Sequence, residues 1–465
     1  MKKMKKVSCL LLVLIIGIFT LSACAKKERK QSEDKNELIK SISTNELNKK
    51  LKDKQWVIVD TRINDAFNGW KLDGVTRGGH IDGAVDFSAN WLKVDDKDKD
   101  KKLDEVLKTK KIDKNKNVIL YDSNGKDANQ VAEYLSKKGY KKLYTYDVKE
   151  WAKNKSLPMK KYKNFEMIVP AKVVKDVIDG KTPETFEKGK KVKIVEVSWG
   201  EEKTSYAKGH VPTSFHVNTD IIEPPTKNPP AWMLASDDKL TQFAKNYGFT
   251  KDDAVILTGE EPMAAYRLAV ILRYMGVKDV RVLNGGLTAW TSAGYKVETE
   301  SHKATPVDDF GGKIPMNPNL IDTVEEAKEG LKKPNEFTLV DNRTWEEHIG
   351  KITGYSYHKK KGRIPGSVYG YAGIGDSYAL DYYRNVDKTM RNADEILNLW
   401  KNAGIDINKH LSFMCGSGWR ASEVLTYANV MGFDNTSLYS DGWIGWSNNP
   451  KNPKNPIETG GPKGK

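Results

Sequence analysis

The chain has 465 residues, of which 38% are hydrophobic and 30% are charged, and it carries a formal net charge of +15 at pH 7. At about 150 residues per domain, this length predicts about three domains. The positive charge comes mostly from lysines that are mixed with acidic residues, without an arginine-rich patch. This mixture favours a solvated surface near an anionic membrane and argues against a nucleic-acid partner, which we do not expect.

Residues 1–24 have the three-part pattern of an export signal. Lysines come first, an apolar stretch from Val7 to Leu21 follows, and the segment ends in Leu-Ser-Ala-Cys at Cys24. The apolar stretch is shorter than the roughly 20 residues of a membrane-spanning helix, which disfavours a permanent transmembrane segment. The ending resembles a bacterial lipobox, which implies a lipid on Cys24 and anchoring to the extracytoplasmic face of the cell membrane. Residues 25–40 are charged and predict a flexible tether.

The remainder of the chain contains three copies of the same series of segments. Each copy has a buried-type strand, then a turn, then a strand, a loop and a helix that ends at a glycine. The change from continuous apolar runs to helical spacing predicts parallel sheets covered by helices. A repeat of more than about 130 residues is long enough for each copy to bury its own core. We therefore predict an α/β protein with three tandem domains at residues 41–160, 165–300 and 318–460.

The third loop, CGSGWR, begins with Cys415, the only cysteine after residue 24. If Cys9 leaves with the signal and Cys24 carries lipid, Cys415 is an unpaired thiol in an exported protein. Such a thiol is a candidate for a reactive group. The alternative is a small buried core residue, which the neighbouring glycines and arginine disfavour.

These segments together resemble the rhodanese family. The Asp-x-Arg strand end, the GHIPGA-like turn and the cysteine-opened loop carry the resemblance, and CGSGWR is similar to the CGTGWR-type loop of three-domain bacterial sulfurtransferases. The resemblance implies three rhodanese-like domains and a thiol at Cys415 that accepts a sulfane sulfur. It also places Asp122 and Gly259 at the positions equivalent to Cys415, which implies that the first two domains are catalytically silent. Domain two departs further, with Glu196 and Ser198 replacing the Asp and Arg.

The residues after the cysteine suit the stabilisation of an anion. Gly416 and Gly418 permit backbone angles that other residues avoid, so successive amides can point inward as an anion-binding nest. The next helix, which we expect to begin near Ala421 and Ser422, adds its positive N-terminal end.

We assign roles to the loop accordingly. Cys415 is the expected nucleophile. We expect Arg420 to orient the substrate as a fixed cation, and a salt bridge at the start of the helix is its alternative role. Trp419 has two open roles, as a wall of the pocket or as packing against a neighbour. The expected substrate-binding residues are Gly416, Ser417, Gly418 and Trp419.

The expected reaction moves a sulfane sulfur from thiosulfate to cyanide or a thiol through a Cys415 persulfide, by double displacement and without a cofactor. One alternative donor is 3-mercaptopyruvate, although those enzymes tend to continue the loop with Val-Thr. Another alternative is a non-enzymatic sulfur carrier or scaffold. A cysteine phosphatase is less favoured, because only four residues separate Cys415 from Arg420 where phosphatases have five. A cysteine protease needs a histidine base, and His348, His358 and His410 lack a protease context.

Several further residues carry weaker expectations. We expect Arg343 to pair with Glu346 or Glu347 and to brace the GRIPGS turn, and we leave open whether Arg363 contacts substrate. The tyrosine-rich segment 369–384 is expected to rim the site. The proline-rich insertion IIEPPTKNPPAWM is expected to lie over a neighbouring domain. One cysteine and scattered histidines predict no metal site.

Overall fold

The computed structural model describes residues 39–448 and 455–461. The predicted signal and the lipid on Cys24 lie outside these residues, so both stay predictions. Residues 39 and 40, which we predicted as the end of the tether, instead belong to an edge strand of the first sheet. In the described part of the chain, none of the helices combines the length and the apolar character that a bilayer span requires.

The prediction of three parallel sheets flanked by helices is confirmed. Each domain contains a five-stranded sheet, and every strand pair in these three sheets is parallel. The central strands are buried on both faces, which explains why they are continuous apolar runs rather than alternating patterns. The carboxyl ends of the strands meet at one edge of each sheet, where the loops that follow them lie together.

Domain one has the strand order β1-β6-β5-β2-β4 and a separate antiparallel pair, β3-β7. Its strands are β1 (Ile39–Ser41), β2 (Trp56–Asp60), β3 (His80–Ile81), β4 (Val85–Asp86), β5 (Asn117–Asp122), β6 (Leu143–Asp147) and β7 (Met159–Lys160). Its helices are α1 (Thr44–Lys50), α2 (Asn64–Asn68), α3 (Lys99–Thr109), α4 (Asp127–Lys137) and α5 (Val148–Lys153).

Domain two has the order β10-β9-β13-β14-β8, with the hairpin β11-β12 outside the sheet. Its strands are β8 (Ile168–Val169), β9 (Val192–Ser198), β10 (Phe215–Asn218), β11 (Pro225–Lys227), β12 (Pro230–Trp232), β13 (Ala254–Thr258) and β14 (Asp279–Leu283). Its helices are α6 (Ala171–Ile178), α7 (Asp237–Asn246), α8 (Pro262–Met275) and α9 (Gly286–Ser292).

Domain three has the order β15-β19-β18-β16-β17. Its strands are β15 (Ile321–Asp322), β16 (Phe337–Asp341), β17 (Val368–Tyr369), β18 (His410–Met414) and β19 (Thr436–Tyr439). Its helices are α10 (Val324–Leu331), α11 (Trp345–His348), α12 (Ala393–Ala403), α13 (Trp419–Met431) and α14 (Gly442–Asn448).

Domains two and three share one hydrophobic core. Helices α8 and α13 are buried along almost their whole length and pack against each other. Tyr266 of α8 meets Tyr427 of α13 edge to face, with ring centroids 5.4 Å apart. Both helices end at a glycine in the left-handed conformation, as the sequence predicts. Helix α13 of domain three is therefore supported by its counterpart in domain two.

The proline-rich hairpin β11-β12 of domain two lies over domain three, as predicted. The Trp232 ring packs edge to face on Tyr357, with centroids 4.9 Å apart. The hairpin thereby brings aromatic side chains of domain two to the surface where the strands of domain three end.

A buried amide connects all three domains. The Asn284 side chain of domain two donates a hydrogen bond to Asp65 of domain one at 3.0 Å. Its oxygen accepts the backbone N–H of Met390 in domain three at 2.8 Å. Burial raises the pKa of Asp65 to about 7, and the nearby Asp387 carboxylate adds to the rise. The junction therefore contains an acid that titrates near neutral pH.

Asp65→Asn tests this junction through the pH dependence of stability. The pKa of Asp65 is about 7 in the folded chain, whereas an unfolded Asp titrates near about 3.9. The raised pKa gives a stabilisation that is complete below about pH 4 and lost as the pH rises towards 7. We expect the variant to gain stability relative to wild type between pH 4 and pH 8, by several kcal/mol, in urea titrations. The exposed substitution Asp95→Asn is the control, and parallel pH profiles for wild type and Asp65→Asn would contradict the assignment.

Candidate active site

Cys415 lies at the carboxyl end of the central strand β18 and opens the loop into α13. The backbone N–H of Gly418 donates to Cys415 Sγ at 3.2 Å. Gly418 caps the helix with a φ of 104°, a left-handed conformation that glycine adopts without strain. We predicted that the helix begins near Ala421 and Ser422, but it begins at Trp419, because the N–H of Ser422 already bonds to the Gly418 carbonyl at 2.9 Å.

Domain one shows what the same loop does with a different side chain. Asp122 ends strand β5, at the position equivalent to Cys415. Its carboxylate accepts the backbone N–H groups of Gly125 at 3.2 Å and of Ala128 at 3.0 Å. An anion thus occupies the inward-facing amides of a homologous loop within this chain, which supports the anion-binding nest expected around Cys415.

A cavity of about 470 Å³ lies beside the thiol, between domains two and three. Cys415 is only 1% exposed, as for the buried residue that the sequence disfavoured, but it lines this cavity, which gives access to the thiol. Domain three contributes eleven of the sixteen lining residues and domain two the other five. The lining residues are Trp199, Thr219, Glu223, Trp232, Met263, Gly354, Tyr355, Ser356, Tyr357, Asp376, Ser377, Tyr378, Cys415, Ser417, Trp419 and Arg420.

Arg420 lines the cavity but is engaged in a buried ion pair. Its two terminal nitrogens donate to Glu347 at 2.8 and 2.9 Å, and one of them also contacts the Tyr355 hydroxyl at 3.0 Å. Burial alone would raise the pKa of Glu347, but the Arg420 guanidinium and its neighbours outweigh burial and lower it. The geometry therefore matches the salt bridge that the sequence left open for Arg420, with its positive charge shared between Glu347 and the cavity.

Tyr355 places a hydroxyl directly against the loop. A side chain on Gly416 would leave its Cβ only 1.9 Å from Tyr355 Oη, so the close approach of the tyrosine requires glycine at position 416. Burial raises the pKa of Tyr355 well above its usual value, so the group is a protonated hydrogen-bond donor. Tyr355 and Tyr357 are not among the predicted site residues, because the segment GYSY has no motif that connects it to the loop.

Domain two braces the loop from behind with a second buried ion pair. Arg267 of α8 donates to Glu223 at 2.8 Å, and Trp419 Nε1 donates to the same carboxylate at 2.5 Å. Arg267 also reaches Ser440 at 2.8 Å. A Cβ on Gly418 would lie 2.7 Å from the Arg267 guanidinium. Trp419 therefore fills both roles that the sequence left open, as a wall of the cavity and as a contact to the neighbouring domain.

Arg343 has a structural role, but with a different partner from the one expected. It pairs with Asp341 through two bonds of 2.9 and 2.7 Å, not with Glu346 or Glu347. The reason is that Glu347 already accepts Arg420 and the N–H of Thr344. The bracing of the GRIPGS turn is confirmed by a bond from Arg343 to the Gly362 carbonyl at 2.9 Å.

Most of the other candidate residues lie outside the Cys415 cavity. Arg363 pairs with Glu458 at 3.0 Å and is not part of the cavity lining. Within the tyrosine-rich segment, residues 376–378 line the cavity, whereas Tyr369, Tyr371 and Tyr382 surround a different cavity. Among the described residues, the lining of the Cys415 cavity contains no histidine, and His348 is bound to Asp341 at 2.8 Å. The base that a cysteine protease requires is thus missing from the described lining.

Comparison with known proteins agrees with this architecture. A family model described as Rhodanese-like domain matches residues 43–154, 178–293 and 323–449. The chain is 37% identical over 392 residues to Thiosulfate sulfurtransferase YnjE of Escherichia coli (strain K12), covering 84% of this chain and 86% of that protein. It is 26% identical over 272 residues to Sulfur carrier protein TtuD of Thermus thermophilus, covering 56% and 88%. The crystal structure of an anaerobic ergothioneine biosynthesis enzyme from Chlorobium limicola, in complex with its natural substrate trimethyl histidine, superposes with a TM-score of 0.83 at 33% identity, covering 91% of this chain and 100% of that one.

Arg420→Lys tests whether the buried pair with Glu347 braces the loop. Lysine keeps the charge but cannot donate two parallel bonds, so we expect a loss of about 1.5–3 kcal/mol in unfolding free energy, as for a hydrogen bond to a charged group. Distortion of the loop should also lower kcat/KM at least about tenfold, or about 1.4 kcal/mol. Urea titration and steady-state sulfur-transfer kinetics measure the two effects.

Arg281→Lys is the control, because Arg281 forms a partly buried pair with Asp279, also through two hydrogen bonds, in domain two and outside the cavity. It should lose stability without losing activity. If Arg420→Lys kept wild-type stability and only raised the KM for an anionic donor, Arg420 would bind substrate instead of bracing the loop.

Proposed function

This chain belongs to the rhodanese family and is a rhodanese-type sulfurtransferase, and we propose that it takes its sulfur from thiosulfate through a persulfide on Cys415. The observation that carries the proposal is the Gly418 N–H bonded to Cys415 Sγ at the wall of a cavity. An amide directed at sulfur stabilises a thiolate, which is the nucleophilic form of cysteine. The cavity has room for a small oxidised donor beside it.

The reaction proceeds in two displacements. The Cys415 thiolate attacks the outer sulfur of thiosulfate, an S–S bond forms, the bond to the sulfonate sulfur breaks, and sulfite leaves with the electron pair. Cyanide or a thiolate then attacks the terminal sulfur of the persulfide and releases the Cys415 thiolate. No external oxidant or reductant is needed, because the sulfane sulfur keeps its oxidation state. In this proposal the amides of residues 416–419 hold the sulfonate, and the Ser417 and Tyr355 hydroxyls donate to its oxygens.

The size and lining of the cavity favour a second candidate acceptor, an organic cation. A volume of about 470 Å³ far exceeds what cyanide requires and falls in the range of small-molecule sites. Aromatic rings of Trp199, Trp232, Tyr357 and Tyr378 surround it, together with the carboxylate of Asp376. Aromatic faces and carboxylates are the groups that bind a quaternary ammonium. The similar Chlorobium limicola enzyme is described with trimethyl histidine as its natural substrate, which supports an acceptor of this class here.

A sulfur carrier remains the non-enzymatic alternative, supported by the similarity to Sulfur carrier protein TtuD. An enzyme and a sulfur carrier differ in the number of turnovers. A carrier loads one sulfur per chain and stops, whereas an enzyme continues to form product. The CGSG opening also keeps 3-mercaptopyruvate as an alternative donor.

Steady-state formation of thiocyanate from thiosulfate and cyanide tests the proposed donor. We expect many turnovers per chain, a kcat/KM for thiosulfate above that for 3-mercaptopyruvate, and complete loss of turnover in Cys415→Ser, which removes the nucleophile with little change in volume. Ser417→Ala is the companion variant that keeps the thiol and should retain measurable activity. A single turnover per chain would indicate a carrier, and faster turnover of 3-mercaptopyruvate would reverse the proposed donor.

The acceptor proposal is tested with the persulfide form of the protein and trimethyl histidine, with unmethylated histidine as the matched compound. We expect a sulfur-containing product from trimethyl histidine only. Trp232→Ala should raise the KM for this acceptor about fivefold or more, the equivalent of about 1 kcal/mol of cation–π interaction, without changing the KM for cyanide. Trp345→Ala, at a different cavity, is the control variant. Equal reaction of the two amino acids would argue against a quaternary-ammonium site.

A further inference from the structure

Three potential metal ligands converge in domain two, away from the Cys415 cavity. One ligand atom from each of His210, Glu298 and His302 lies within 4.8 Å of the other two. Glu298 Oε1 is 3.6 Å from His210 Nε2 and 2.7 Å from His302 Nε2. Backbone bonds fix the two chain segments, because His210 and Glu298 exchange N–H···O bonds of 3.0 Å in both directions. The ligands are therefore held on a rigid frame.

The hydrogen bonds of His210 determine which ring nitrogen is available. Its Nδ1 is 2.8 Å from the Tyr206 carbonyl, which can only accept, so Nδ1 carries the proton. The ring is stacked on Tyr206 at 3.7 Å, which fixes its orientation. Nε2 is buried and has no hydrogen-bond partner within the described residues. This buried nitrogen lies 3.6 Å from Glu298 Oε1, which also accepts the backbone N–H of Thr213, and a cation between the two side chains would contact both.

The corresponding antiparallel bridge contains a cationic side chain in each of the other two domains, on the His210 side in domain three and on the Glu298 side in domain one. In domain three, Arg363 lies across from Glu458 in the corresponding antiparallel bridge and pairs with it at 3.0 Å. In domain one, Lys160 lies across from His80 and pairs with Asp82 at 2.6 Å. Across the described ranges, the ion-pair partners of Glu298 are the two histidines alone. The bridge of domain two contains neither Arg nor Lys, so its carboxylate faces two histidines instead.

We propose that His210, Glu298 and His302 bind a divalent transition-metal ion of the zinc type. Two imidazole nitrogens and one carboxylate are a common zinc ligand set, and a water would complete four-coordination. A histidine that binds a metal usually donates its other ring N–H to a carbonyl or carboxylate, which orients the ring. For His210 this acceptor is the Tyr206 carbonyl.

The surroundings of the cluster fit such an ion. Zinc–ligand distances of about 2.0–2.1 Å place ligand atoms about 3.3 Å apart, so only small shifts of the half-exposed Glu298 and His302 side chains are required. Their exposures of 27% and 32% leave an entry path. The bound ion would clamp the end of domain two, at residues 298–302, to the turn at His210.

Zinc binding by the full chain tests the proposal. The protein is stripped with a chelator in a Cys415→Ser background, so that this thiol cannot bind metal, and titrated with zinc chloride against a chromophoric competitor. We expect an equivalent of zinc whose affinity falls at least about 100-fold in both Glu298→Ala and His302→Gln, because loss of a ligand exceeds the 10–100-fold cost of losing a partner behind one. Zinc should also raise the melting temperature of the parent but not of these variants.

Glu300, an exposed residue two positions after Glu298, provides the matched control. Glu300→Ala removes a carboxylate close in sequence to Glu298 but outside the cluster, and it should bind zinc like the parent. Circular dichroism confirms that each variant is folded, and His210 is left unchanged because its buried ring also supports the turn. Equal zinc affinity in Glu298→Ala and Glu300→Ala, or no binding by the parent at micromolar zinc, would overturn the proposal.

Discussion

The packing of helix α8 of domain two against helix α13 of domain three is the constraint on which the site depends. Both helices are buried nearly throughout, so neither can move without opening the core that the two domains share. Arg267 projects from α8 to the back of the Cys415 loop, and Glu223 holds Trp419 in place. A domain without a thiol in its own loop therefore has a defined task, which is to complete and brace the cavity of its neighbour.

Two buried ion pairs dominate the electrostatics around the Cys415 loop. The ion pairs Arg267–Glu223 and Arg420–Glu347 are both removed from water, and burial raises the pKa of Glu223 while Arg420 and its neighbours lower that of Glu347. Removing one partner of such a pair leaves an uncompensated charge, which is costly in a low-dielectric site. The pairs therefore fix the positions of Trp419 and Tyr355, whereas a loop amide, the Gly418 N–H, contacts the sulfur. Domain one supports separate roles for the ion pairs and the loop amides, because its loop amides bind the Asp122 carboxylate.

The sequence predicted what repetition and local chemistry encode. Three copies of a strand–loop–helix pattern predicted three parallel sheets, and the single late cysteine predicted the position of the site. It did not predict contacts that form only when distant segments meet. Tyr355 reaches the loop through a turn with no motif, and Glu347 binds Arg420 rather than Arg343 because a helix cap has already placed it. The cluster of His210, Glu298 and His302 was not predicted for the same reason, because backbone bridges between distant segments bring its members together.

The central claim is that Cys415, whose Sγ accepts the Gly418 N–H, accepts and carries a sulfane sulfur. Mass spectrometry of the Cys415 peptide after treatment of the intact protein with thiosulfate tests it most directly. The account predicts a gain of one sulfur atom on this peptide, reversed by cyanide and absent from Cys415→Ser. An unmodified Cys415 peptide, or sulfur that remains on the protein after the serine substitution, would contradict it.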